Sequence, residues 1–226
     1  MHLEVFNLSK VYPGGRGLFS TSFSVSRGEA IAIVGHNGAG KSTLLKLLAS
    51  WLVPDSGRGV VEGVELSDRH ALVRKIGFVP ETPNLHEAFS VDYNLALFAG
   101  LFGLPVLRIE ETLRELKLLP FRRSTVRTLS KGLKQRVGIG RSLLADPPVL
   151  LLDEPMSALD FETTQDIYRL IRGVHARGQT VLFTSHRPEE TKALATRILV
   201  LHEGAVVFDG TPDAYFQSSF HQALYR

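Results

Sequence analysis

A glycine, four residues and then Gly-Lys-Ser is a spacing suited to holding phosphate, and Gly35-His36-Asn37-Gly38-Ala39-Gly40-Lys41-Ser42 has it. Backbone amides in such a turn, with the N-terminus of a following helix, form a nest for an anion. Lys41 would reach β- and γ-phosphates, and the Ser42 hydroxyl would ligate Mg²⁺. Gly35, Asn37, Gly38, Gly40, Lys41, Ser42 and Thr43 are therefore the candidate nucleotide ligands.

A second group of residues could do chemistry on what that loop holds. Val149-Leu150-Leu151-Leu152 is an apolar run ending in Asp153-Glu154. A strand with no charge until its C-terminal end presents its carboxylates at the sheet edge where α/β ligand sites lie. Asp153 suits a Mg²⁺ contact, and Glu154 can orient or deprotonate an attacking water. His186 follows another apolar run, Val181 to Ser185, and could donate to a γ-phosphate oxygen or hold the water. These residues together describe a phosphate-loop ATPase or GTPase. A GTPase would be expected to carry an Asn-Lys-x-Asp stretch that reads guanine, and the sequence has none.

The elements needed to position these groups are legible. Residues 3–12 and 23–34 read as strands with Pro13-Gly14-Gly15-Arg16-Gly17 as the turn between them. Ala30 to Val34 is apolar at every position, the pattern of a strand buried on both faces. Ser42 to Trp51 has helical spacing, 58–66 suggests a strand, and 76–79 a short buried one. From 84 to 145 leucine and phenylalanine recur at helical intervals, which predicts a helical insertion. Strands at 149–152, 180–185, 197–202 and 205–209 then alternate with helices at 161–176 and 188–195. That rhythm predicts an α/β fold with a mainly parallel sheet flanked by helices.

The 226 residues fit one domain, 1–226, and their net charge of +3 includes no concentrated basic run, so no nucleic-acid partner is expected. With no cysteine, disulfides and thiolate metal sites are excluded. The start lacks the layout of a signal peptide, and no apolar stretch approaches the ~20 residues of a membrane helix. Any membrane role is expected to come through a partner.

Leu129-Ser130-Lys131-Gly132-Leu133-Lys134-Gln135-Arg136 precedes a predicted helix that runs into Asp146-Pro147-Pro148 and the carboxylate strand. This segment resembles the Leu-Ser-Gly-Gly-Gln signature of ABC transporter ATPases, and the resemblance extends from Leu3 to about Phe216. It implies a P-loop NTPase fold of ABC type. An N-terminal antiparallel β subdomain would join a catalytic core of residues 1–83 and 146–226, and a helical subdomain at about 84–145 would carry the signature. It also implies ATP and Mg²⁺ as ligands and Tyr12 as the ring that stacks on adenine. Ser157-Ala158-Leu159-Asp160 matches the loop crossing the dimer interface. Ser130 and Gly132 would contact a γ-phosphate bound across a homodimer, or across a pair with another ATPase subunit.

Two departures stand out. Lys131 and Leu133 replace a glycine and a glutamine of the signature, and Glu81 falls where the family has a metal-sensing glutamine, so Glu81 is a further candidate metal ligand. Both variants look like those of exporter-type ATPases. The implied protein is the ATP-hydrolysing subunit of a transporter, peripheral on the cytoplasmic face, driving a separate integral membrane permease. A soluble ABC-type ATPase outside transport is the alternative. The permease surface is expected at Ala88 to Phe102, which is rich in aromatics and leucines.

Overall fold

The computed structural model describes residues 2–224. Leu3–Val11 (β1) and Gly17–Val25 (β2) form an antiparallel pair. The chain turns at Arg27-Gly28 and enters Ala30–Val34 (β3), which lies in a different sheet. The stretch 23–34, expected as one strand, is thus two. β2 also starts at Gly17, inside the predicted turn, because pairing with β1 organises a serine-laced segment whose outward face conceals its alternation.

Lys41–Leu48 (α1) follows the phosphate loop and stops short of Trp51. Ser50 ends it by taking a left-handed backbone (φ 54°) and donating its hydroxyl to the Leu66 carbonyl at 2.5 Å. Ser56–Val61 (β4) and Val64–Glu65 (β5) replace the single strand expected over 58–66. Glu62 and Gly63 both have positive φ, 47° and 78°, as a tight two-residue hairpin requires. These strands complete an antiparallel sheet in the order β2-β1-β4-β5. A short unanticipated helix, Arg69–Leu72 (α2), is capped by Asp68 and leads to Ile76–Val79 (β6).

The helical region follows as expected. Val91–Leu101 (α3), Val106–Glu115 (α4) and Lys131–Leu143 (α5) surround a core of their own, with Val91, Leu95, Leu113 and Val137 fully buried. Ser90 and Ser130 cap α3 and α5 through their hydroxyls. The α/β alternation resumes with Val149–Leu152 (β7), Phe161–Ala176 (α6), Thr180–Thr184 (β8) and Pro188–Leu194 (α7). Arg197–His202 (β9), Ala205–Gly210 (β10), Pro212–Phe216 (α8) and Ser219–Leu224 (α9) complete the described chain. The last two helices had no clear signal in the sequence.

The second sheet runs β10-β9-β3-β8-β7-β6, parallel except for the β10–β9 pair. Side-chain alternation divides its core. Ile31, Ile33, Leu151 and Leu182 pack with α1 and the antiparallel sheet. Ala32, Val34, Leu150, Leu152 and Phe183 pack with Ile139 of α5 and with Ile167 and Ile171 of α6. Each large side chain buried here stabilises the fold by about 1.5–3 kcal/mol before entropy is counted. The result is a rigid platform. Its four adjacent strands β3, β8, β7 and β6 all end at the same edge.

Candidate functional site

Every chemically interesting residue predicted on a strand end reaches that edge. The phosphate loop leaves β3, Asp153 and Glu154 leave β7, His186 follows β8, and Glu81 follows β6. They converge on a cavity of about 560 Å³ lined by Tyr12, Asn37, Gly38, Gly40, Lys41, Ser42, Thr43, Glu81, Glu154, Ser157 and His186.

The loop is shaped for an anion. Gly40 stands at the N-cap of α1 with φ 101°, and no side chain caps that helix. A Cβ at Gly40 would lie 2.9 Å from the Gly17 carbonyl, so only glycine fits both the conformation and the space. The free N–H groups of the first helical turn therefore face the cavity. Lys41 is nearly buried and donates to the Gly35 and His36 carbonyls at 2.8 and 3.2 Å, so the loop wraps its ammonium. Burial lowers its pKa, while the negative charges of Glu154 and Asp153 oppose that shift. A cation held among carbonyls in a dry loop is a strong partner for phosphate.

Asp153 is buried behind Ser42, which lines the cavity. Its Oδ1 accepts from the Ser42 hydroxyl at 2.9 Å and from the Thr184 hydroxyl at 2.8 Å. Among the described residues no hydrogen bond falls on its Oδ2. A hydroxyl and a carboxylate with an oxygen to spare are the donor set of a hard cation. Glu81 lies at the rim and accepts from the Ser157 hydroxyl at 3.4 Å. Among the described residues no three His, Cys, Asp or Glu side chains cluster as a metal site, so a cation here would depend on the Ser42 oxygen.

Glu154 has a left-handed backbone, φ 47°, a conformation that costs a non-glycine residue about 1–2 kcal/mol. Its N–H donates to the Thr184 hydroxyl at 2.7 Å, and its Oε2 accepts from His186 Nδ1 at 2.9 Å. That last bond directs the other ring nitrogen of His186 away from the carboxylate. Tyr12 lies just past the end of β1, at the cavity mouth, and is 38% exposed.

Ser130 and Gly132 do not line this cavity. They begin α5, where the Ser130 hydroxyl accepts from Leu133 N and Gly132 packs so closely on α6 that a Cβ would meet Thr163 at 2.3 Å. Three residues in or beside the cavity were not anticipated: Arg16, Gly17 and Thr184. Arg16 was read only as part of a turn. Thr184 had a signal, a hydroxyl that with Ser185 closes the apolar run of β8.

Comparison with known proteins agrees with this geometry. A family model described as ABC transporter matches residues 18–157, a span that holds the phosphate loop, Ser130 and both carboxylates. The chain is 38% identical over 203 residues to the Nod factor export ATP-binding protein I of Rhizobium sp. (strain N33), covering 87% of this chain and 66% of that protein. With the protein of the same name from Bradyrhizobium diazoefficiens it is 40% identical over 201 residues, 85% of this chain and 65% of the relative. It thus spans about two thirds of these relatives' length. An ATP-binding subunit of an ABC transporter superposes with a TM-score of 0.88 at 31% identity, covering 100% of this chain and 98% of the other. An ATP-binding cassette solved as a dimer in a post-hydrolysis state with ADP and Pi gives 0.83 at 27%, covering 93% and 98%. With its parallel sheet, its antiparallel β-sheet and its loop-strand-carboxylate edge, the chain belongs to the ABC transporter family, among its ATP-binding subunits.

Proposed function

We propose that this protein hydrolyses ATP at the 35–43 loop and passes the resulting motion to an integral membrane permease. The carrying observation is the Glu154–His186 pair, 2.9 Å apart, beside the Lys41 loop in one cavity. Lys41 and the α1 amides bind the β- and γ-phosphates, and Tyr12 stacks on adenine at the mouth. Glu154 orients the attacking water and takes its proton, and His186, its Nδ1 proton given to Glu154, donates to a γ-phosphate oxygen from its other ring nitrogen as the imidazolium. Ser42, Asp153 and Glu81 would hold Mg²⁺, whose charge offsets that of the phosphates when bound.

Ser130 and Gly132 stand outside the chain's own cavity, which fits a role toward a second copy. We read the working unit as a homodimer in which each phosphate loop faces the partner's α5 N-terminus. Residues 84–145 then form the arm that presents this terminus, with 1–83 and 146–226 as the catalytic body. The permease surface includes the α3 face expected at 88–102. Phe98 and Phe102 line a groove of about 500 Å³ with Trp51, Arg69 and Arg141. Among the described residues no helix is long and apolar enough to cross a membrane, so the proposed site of action is the cytoplasmic membrane face beside a permease. Export is the direction carried by the names of the two rhizobial relatives.

Size-exclusion chromatography of Glu154→Gln tests the composite site. With hydrolysis blocked, Mg-ATP should shift this variant to a dimer, and ADP should not. A protein that stays monomeric at its highest attainable concentration would mean that the partner is a different ATPase subunit or that the permease is required for pairing.

Glu81 gives a finer test. Glutamine and glutamate both present an oxygen to a hard cation, so Glu81→Gln should keep ATPase activity within about tenfold, or ~1.4 kcal/mol of barrier. Glu81→Ala should raise the Mg²⁺ concentration needed for half-maximal rate. Wild-type Mg²⁺ dependence in Glu81→Ala would reduce Glu81 to a loop carboxylate.

A further inference from the structure

We propose that Thr184 is a positioning residue for ATP hydrolysis, one hydroxyl that sets both carboxylates of the β7 edge. The inference rests on the ATPase reading above and extends it to a residue whose side chain lies behind the cavity. Thr184 closes β8 and is fully buried. The β7–β8 register pairs Leu152 with Phe183, so Thr184 falls beside Asp153, one step further along both strands. From there its Oγ1 donates to Asp153 Oδ1 at 2.8 Å and accepts from Glu154 N at 2.7 Å. A hydroxyl has one proton to give, and this one gives it to Asp153 while its lone pair takes the Glu154 amide.

Each bond does separate work. The bond to Asp153 shares Oδ1 with Ser42, which ties the phosphate-loop helix, β7 and β8 at one atom and leaves Oδ2 without a protein donor among the described residues. The bond from Glu154 N holds a peptide whose φ of 47° an unrestrained glutamate would avoid. Released from it, the backbone can relax toward ordinary φ, and the Glu154 carboxylate swings from the place that His186 Nδ1 now marks at 2.9 Å. The phosphate contacts come from the loop and Lys41, to which Thr184 makes no direct hydrogen bond and is linked only through Asp153. Turnover depends on where Glu154 points, and displacements of about 1 Å in such groups lower rates by roughly a hundredfold.

Thr184→Val keeps the shape and removes the hydroxyl, and Thr184→Ser keeps the hydroxyl and removes the methyl. Steady-state ATPase kinetics and titration with a fluorescent ATP analogue should separate their effects. Thr184→Val should lose at least about tenfold in kcat, with affinity for the analogue within about twofold of native. Thr184→Ser should recover to within about fivefold of native kcat. In a Glu154→Gln background, Thr184→Val should remove less further rate than it does in the native protein, because one of the two carboxylates it positions is already disabled. A native-like kcat in Thr184→Val, or a Thr184→Ser as slow as Thr184→Val, would overturn the proposal. If Thr184→Val does not fold, Thr184→Ala takes its place with the same expected and contrary results. A native protein that binds the analogue yet never turns ATP over would overturn the ATPase reading itself, and this proposal with it.

Discussion

Glu154→Gln is expected to lower kcat by about 10²–10⁴-fold, roughly 3–5 kcal/mol of barrier, while leaving ATP affinity near native. The glutamine keeps the size of the side chain and an oxygen toward His186 Nδ1, now accepted at 2.9 Å by Glu154 Oε2. What it loses is the negative charge and the ability to take a proton. Binding should survive because phosphate is held by Lys41 and the open N-terminus of α1, neither of which hydrogen-bonds to Glu154. Phosphate-release assays with a matched nucleotide titration decide it. If affinity falls as far as turnover, Glu154 belongs to the binding surface, and the water-activating role is wrong.

Lys41→Ala should do the reverse and weaken ATP binding by about 10–100-fold, the ~1.5–3 kcal/mol range of a charge-assisted hydrogen bond. The ammonium also donates to two carbonyls of its own loop, so its loss loosens the nest as well as removing a charge. Two negative side chains, Asp153 and Glu154, stand near enough to raise its pKa against the effect of burial. With Lys41 gone, their repulsion of phosphate is less well compensated, which places the loss in affinity before any loss in chemistry. Titration with a nucleotide analogue should show it. An affinity within twofold of native would remove Lys41 from the phosphate site.

The parts of this site legible in the sequence are those where local chemistry and sheet position agree. A five-residue apolar strand before a glycine-rich turn has one place in an α/β sheet, and β3 occupies it. The four apolar residues of β7 carry Asp153 to the same edge for the same reason. What could not be read came from tertiary pairing. β2 exists because β1 lies beside it, so its start at Gly17, and with it the place of Gly17 and Arg16 on the cavity wall, was lost in a turn prediction. Thr184 looked like an ordinary strand residue until β7 was placed next to β8. Ser50 looked helical, and only its bond to the Leu66 carbonyl shows why α1 ends where it does. Spacing reveals which residues could do chemistry. The second layer that aims them depends on strand order, which no local pattern states.

The strand order also bears on how the chain is made. β3 pairs with β8 through Ala30–Val181 and its neighbours, and with β9 through Ile31–Arg197 and its neighbours. Both partners come late in the sequence, while β3 comes early. Synthesis at about 5–20 residues per second leaves roughly 7–30 s between the end of β3 at Val34 and the start of β8 at Thr180. Throughout that interval Ala-Ile-Ala-Ile-Val has two unpaired edges. The segment carrying the phosphate loop is therefore an aggregation hazard during biosynthesis, and long-range parallel pairing of this kind is slow to relieve it. The central strand that makes the folded site rigid is, for the nascent chain, the strand left longest without a neighbour.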